Sequence, residues 1–252
     1  MLQTRVIPTL LLKGRGLVKG VGFKDHRYIG DPINAVHIFN AKEADELVFL
    51  DISATSENRL PDLNHIQQIA DECYMPFAVG GGIRRIEDIR AILNAGAEKI
   101  VINTVVVENP DLIREASQMF GSQCIVVSID VRKNLFGGYE VITRGGTRKI
   151  GQDPIVFAKK AAEQGAGEIL LTSIDREGSM EGYDLELTKK VSAAVSIPVI
   201  ASGGAGTLQH IKEAIQSGAQ AAAAGSMFVF HGRRRAVLIN YPDKKELEEL
   251  FK

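Results

Sequence analysis

MPFAVGGGIRRIEDIRAILNAGAEKIVINT (75–104) and IPVIASGGAGTLQHIKEAIQSGAQAAAAGS (197–226) carry one pattern twice, 122 residues apart. Each runs from a short apolar strand through a glycine turn into an amphipathic helix, then through another glycine into a second short strand. Gly81 matches Gly203, Gly96 matches Gly218, and Thr104 matches Ser226. ELVFLDIS (46–53) and EILLTSID (168–175) repeat at the same offset. Half-barrel duplication accounts for this, because half a sheet can neither close nor bury itself alone.

Working outward, short β-branched runs alternate with helical patterns along the whole chain. The strand candidates are residues 5–11, 46–52, 76–79, 99–103, 124–131, 168–173, 198–202 and 221–225. Several are continuously apolar, as expected of strands covered by helices on one face and packed into a core on the other. Asp31-Pro32 and Asp153-Pro154 combine a capping side chain with a first-turn proline. Asn109-Pro110 opens another helix, and Gly121 and Gly165 close two of them. Ile86, Ile89 and Leu93, like Leu208, Ile211 and Ile215, recur at helical spacing. With a last helix over residues 244–251, this is a (β/α)8 TIM barrel, a fold of about 250 residues. An open doubly wound sheet is the rival, but no dinucleotide-type glycine fingerprint follows the first strand. No linker-like stretch divides the chain. One domain over 1–252 is expected, with half-barrels at about 1–120 and 121–230 and a divergent segment at 231–252.

Composition limits the function. The 30 basic and 31 acidic residues nearly cancel, which disfavours a nucleic-acid partner. No apolar run approaches the roughly 18 residues of a membrane span. The N-terminus is too quickly interrupted for a signal peptide, so the cytoplasm is expected. Cys73 and Cys124 read as small buried hydrophobes of a reducing compartment. No metal or cofactor is assigned.

Two glycine-rich turns end strands three and seven, Gly80-Gly81-Gly82 and Ser202-Gly203-Gly204-Ala205-Gly206. Asn103-Thr104 and Gly225-Ser226 end strands four and eight. Glycine lets backbone N–H groups approach an anion, and helix N-termini add partial positive charge. Barrels frequently hold a phosphate on the loops after strands seven and eight. The duplication repeats that construction after strands three and four, which predicts a ligand with phosphate at both ends. Glycines that merely permit tight turns are the alternative.

Asp130 ends strand five and is the candidate acid–base residue, with a helix cap as the plainer reading. Thr9 falls opposite Ser128, so the position matching Asp130 is Leu11. Asp51, Thr172, Asp175, Glu177 and Ser202 add polar groups at strand ends, fitted either to substrate or to holding loops. Lys19 and Lys24 lie in Lys13–Asp31, expected as a long lid-like loop. Lys19 is a candidate catalytic group, and a solvated lysine is the alternative for both. At the opposite end, Arg5, Glu46, Lys99 and Glu168 each stand first in a strand. Turned inward they would form a ring of alternating charge, and ordinary solvated strand ends would look the same.

The motifs RVIP (5–8), DELVFLDI (45–52), VGGGI (79–83), INT (102–104), ENP (108–110), FGSQ (120–123), GAGEILLTSIDR (165–176), GYD (182–184) and IASGGAG (200–206) resemble the cyclase subunit family of imidazole glycerol phosphate synthase, over residues 1–230. The resemblance implies a lyase-type synthase subunit that receives ammonia from a glutaminase partner and adds it to a bisphosphorylated precursor. It implies a catalytic role for Asp130, two phosphate sites on Gly82, Asn103, Thr104, Gly178, Gly204, Gly225 and Ser226, and an ammonia gate of Arg5, Glu46, Lys99 and Glu168.

The chain departs from that pattern at Leu11, where the family has a second catalytic aspartate, at Thr9, and over 231–252. LLLK (10–13), YIGDPINAVHIFN (28–40) and AVLINYP (236–242) resemble a paralogous branch found with surface-polysaccharide genes. There a glutaminase and a barrel feed ammonia to a third, ATP-using amidotransferase that forms an acetamidino sugar in lipopolysaccharide biosynthesis. The alternatives are the histidine-pathway cyclase itself, an Amadori isomerase, and a non-catalytic ammonia-conducting barrel.

Overall fold

Eight short strands, each buried on both faces, can only be satisfied by closure upon themselves and a jacket of helices. The structure, a computed structural model, describes residues 4–134, 136–232 and 234–252. The barrel strands are β1 (Arg5–Lys13), β2 (Leu47–Asp51), β3 (Phe77–Gly80), β4 (Lys99–Ile102), β5 (Ile125–Lys133), β6 (Glu168–Ser173), β7 (Val199–Ser202) and β8 (Ala221–Ala224). Each pairs in parallel with its sequence neighbours. Arg5↔Ala221 joins β1 to β8, and Thr172↔Asp130 lies in the pairing of β6 with β5, so the sheet closes.

The outer helices are α1 (Pro32–Ala41), α2 (Leu63–Glu72), α3 (Ile86–Asn94), α4 (Asp111–Phe120), α5 (Pro154–Glu163), α6 (Leu185–Ser192), α7 (Leu208–Gln216) and α8 (Lys244–Leu250). Asp31, Asp62 and Asp153 cap α1, α2 and α5 by accepting backbone N–H groups. The α4 cap falls on Pro110 itself, one residue after the expected Asn109.

Two cores result. The larger lies between sheet and helices, around Phe39, Phe49, Phe77 and Ile89. The smaller fills the barrel with Ile7, Val48, Ala78, Val101, Val126, Leu170, Ile200, Ala221 and Ala223. Burying each large aliphatic side chain there contributes about 1.5–3 kcal/mol. The 231–252 segment is tied to the floor: Tyr241 is buried against Phe39 and Phe228 and donates to the Val6 carbonyl at 2.8 Å.

Three expectations need correction. Lys13–Asp31 is not a loop but a hairpin, Gly16–Val21 with Lys24–Gly30, continuing from β1. Its two-residue turn has positive φ at both Gly22 (56°) and Phe23 (65°), the geometry that matches strand twist. Strand β5 runs on to Lys133 and pairs with Tyr139–Thr143, which pairs with Arg148–Lys149. Glu46 stands just before β2, and Cys124 closes a short 3-10 turn before β5. Both cysteines are free and half-buried.

Candidate active site

The C-terminal strand ends open onto a cavity of about 820 Å³ whose wall includes Thr9, Leu11, Lys19, Asp51, Gly82, Asn103, Thr104, Asp130, Thr172, Glu177, Ser202 and Gly225. That is the size of a small-ligand site. Gly178, Gly204 and Ser226 lie off this wall.

Asp130 is the best-defined group. Ser128 Oγ donates to one carboxylate oxygen at 3.3 Å and the Asn103 amide to the other at 3.2 Å. Burial pushes its pKa up to about 7; the Ser128 hydrogen bond acts against this and the Glu177 charge adds to it. Near neutral pH this carboxyl therefore exists in both protonation states, as an acid–base group requires. Asn103 is part of a relay, since its amide oxygen accepts the Thr104 hydroxyl at 3.3 Å.

At the Gly82 end, Gly81 and Gly82 take φ of 121° and 66°. A Cβ on Gly82 would collide with the Arg59 carbonyl, and the Gly82 N–H donates to Thr55 Oγ1 at 3.2 Å. Arg84 and Arg144 reach the cavity beside it, and Arg144 N–H donates to Thr104 Oγ1 at 3.1 Å. Asp51 holds its own loop: it pairs with Arg59 at 2.6 Å and accepts from the Ser53 and Ala54 amides. Asp175 pairs with Arg132 and accepts the Lys133 amide, also a loop contact.

The Gly204 end is built differently. Gly204 O accepts the Gly182 N–H at 2.8 Å, and Arg235 from the divergent segment donates to Gly178 O at 2.9 Å. Arg27 and Arg235 sit 4.3 and 4.8 Å from the Phe230 ring centroid, and Arg27 donates to the Arg235 carbonyl. Ser226 Oγ is buried and has no hydrogen-bond partner among the described residues. Lys19, 3% exposed, forms an ion pair with Glu177, and a Cβ on Gly225 would come 2.5 Å from its Nζ. Lys24 is exposed.

The four charged residues at the other end meet. Arg5 pairs with Glu46 at 2.6 Å and Glu168 at 2.8 Å; Lys99 pairs with the same two at 2.9 and 3.3 Å. Each acid bridges both cations, so the ring is closed. Burial lowers the Arg5 pKa, but Glu168 and Glu46 outweigh it and the net shift is upward.

Reading the sequence did not single out His26, Arg84, Arg144 or Arg235, all at or beside the mouth. The hairpin that carries His26 buries Leu17, Val18 and Ile29, two of them adjacent, and so shows no clean alternation in the sequence. Arg235 touches Gly178 across 57 residues of chain, a contact no local pattern announces.

The family model described as "Histidine biosynthesis protein" matches residues 5–234. A Leptospira interrogans chain named "Putative imidazole glycerol phosphate synthase subunit HisF" is 50% identical over 253 residues, covering 100% of both chains. One from Pseudomonas aeruginosa, with the same name but the subunit given as hisF2, is 48% identical across 98% of this chain and 99% of its own. A Vibrio vulnificus relative, the hisF3 subunit, is 48% identical across 98% and 95%. The chain thus belongs to the histidine biosynthesis protein family, as a paralogue of the imidazole glycerol phosphate synthase cyclase subunit.

Proposed function

We propose that this chain is the synthase subunit of a glutamine amidotransferase. A glutaminase docks on its floor, ammonia passes the ring of Arg5, Glu46, Lys99 and Glu168, and a phosphate-bearing substrate waits at the mouth. The observation that carries this reading is the placement of that ring and of Asp130 at opposite ends of one barrel lumen, with only the small core between them. A closed ring of ion pairs is a costly way to finish a barrel floor unless something uses it.

Gly82, Thr104 and their arginines form one anion end; Gly178, Gly204, Gly225 and Ser226 form the other once a ligand displaces Arg235 from the Gly178 carbonyl. Asp130 transfers protons, with Asn103 holding it in place. Lys19 positions the substrate after exchanging Glu177 for it. Thr172 and Ser202 contact the ligand between the ends.

Leu11 narrows the proposal. General acid–base groups supply typically 10²–10⁴-fold, and leucine supplies none. The chain therefore fits the surface-polysaccharide branch, in which a third, ATP-using amidotransferase completes an acetamidino sugar in the cytoplasm. Incubating the pure chain with the bisphosphorylated histidine-pathway precursor and ammonium chloride tests this. Turnover far slower than that of a two-aspartate cyclase is expected, and full-rate cyclisation would return the chain to histidine biosynthesis.

A further inference from the structure

Of the 5 histidines in the chain, His26 is the one on the wall of the mouth cavity among the described residues. It stands half-buried on the outer hairpin strand, and a Cβ placed on Gly20 would come 3.1 Å from its Cδ2. The hairpin grows from β1, four strands around the closed barrel from β5. It folds over the mouth, where the Gly22 N–H donates to the Glu177 carbonyl in the loop after β6 at 2.9 Å, and His26 and Asp130 line one cavity. On β1 itself the wall is Leu11.

We propose that His26 is the second proton-transferring group of this cavity, working from the hairpin that covers the mouth, where β1 itself offers only Leu11. This rests on the reading that ammonia meets a phosphate-bearing substrate there.

The electrostatics suit the role. Burial, then Lys13 at the end of β1 and Lys19 on the inner hairpin strand, push the imidazole pKa below its ordinary value. Asp25 beside it and Glu177 from the loop after β6 pull the other way and are outweighed. No hydrogen bond figures among these influences. The ring is thus neutral at pH 7 with a lone pair to offer, while Asp130 in the same cavity is partly protonated. When the ammonia lone pair forms a C–N bond at a carbonyl carbon, the C=O π pair moves to oxygen, which takes the Asp130 proton. The new N–H surplus passes to His26, leaving imidazolium, carboxylate and a neutral carbinolamine. Water at the open mouth returns the proton from His26 to Asp130.

The test combines spectroscopy with a double-mutant cycle. Ring NMR of the wild type, assigned by the signal missing in His26→Gln, should show a midpoint below about 6.5 and a signal that moves on adding imidazole glycerol phosphate. A midpoint at or above that value, or a signal indifferent to this probe, overturns the inference. In ammonium-driven turnover of the bisphosphorylated precursor, His26→Gln should cost the wild type about 10²-fold and remove the acid limb of its pH profile. In a Leu11→Asp background the same change should cost far less, because two groups then share one role. Equal losses in both backgrounds indicate a merely structural histidine and also overturn it. Absence of wild-type turnover counts against the synthase reading on this substrate, and the NMR response then decides His26 alone.

Discussion

Strands β1 and β5 face each other across the barrel and carry Thr9-x-Leu11 and Ser128-x-Asp130. In β5 the hydroxyl has its acceptor: Ser128 Oγ donates to Asp130. In β1 the matching Thr9 Oγ1 is buried and has no hydrogen-bond partner among the described residues. The two strands thus share a hydroxyl two residues ahead of a mouth position, filled by a carboxylate in β5 and by an aliphatic side chain in β1. The same contrast separates the two rim ends: Thr104 Oγ1 accepts from Arg144, and its match Ser226 has no partner among the described residues.

The comparison is broken most severely at its intact member. Asp130→Asn should lower ammonium-driven turnover by about 10²-fold or more. It should also change stability with pH in a defined sense. The folded pKa of Asp130 is raised to about 7, so its favourable contribution is complete well below the ordinary carboxylate value and is lost as pH rises through 7. Asparagine has no such loss. Denaturant unfolding should find the variant more stable than wild type at pH 8, by on the order of 3 kcal/mol, and no more stable at pH 4.

The comparison is sharpened at Leu11. Leu11→Asp gives Thr9 the acceptor that Ser128 already has, and should raise turnover of the bisphosphorylated precursor by about 10-fold or more. It should cost about 1–3 kcal/mol, since a half-buried carboxylate replaces an aliphatic side chain. Unchanged turnover would mean that the hairpin, and not Leu11 alone, has diverged.

The rim ends allow smaller tests. Gly82→Ala must displace the Arg59 carbonyl from a backbone at positive φ, so a loss of about 1–3 kcal/mol is expected, with weakened sulfate binding at that end in crystal soaks. Arg235→Ala frees the Gly178 carbonyl and should change stability by less than about 1 kcal/mol while altering phosphate affinity measured by calorimetry.

How much was legible in the sequence follows from the same contrasts. The repeat at 122 residues announces the barrel because it fixes strands, turns and helices together. Its glycines repeat a close approach: a Cβ on Gly81 would strike Asp51 O, and one on Gly203 would come 2.6 Å from Ser173 O. Asp130 is visible as a charge within an apolar run, three residues before its strand ends at Lys133. The hairpin was hidden by its irregular register, which shifts between Leu17 and Val18 and again between Lys19 and Val21 and blurs a period-2 pattern. The roles of Asp51 and Glu177 were ambiguous because their partners, Arg59 and Lys19, are brought to them by the folding of the loop after β2 and of the hairpin. Arg235 over Gly178 was out of reach for the same reason.

The account stands on one lumen joining a charged floor to a reactive mouth. In a complex with the proposed glutaminase, Lys99→Glu should cut glutamine-driven product formation by about tenfold or more while ammonium-driven formation changes by less than about twofold. Equal loss of both activities, or equal retention, would contradict it.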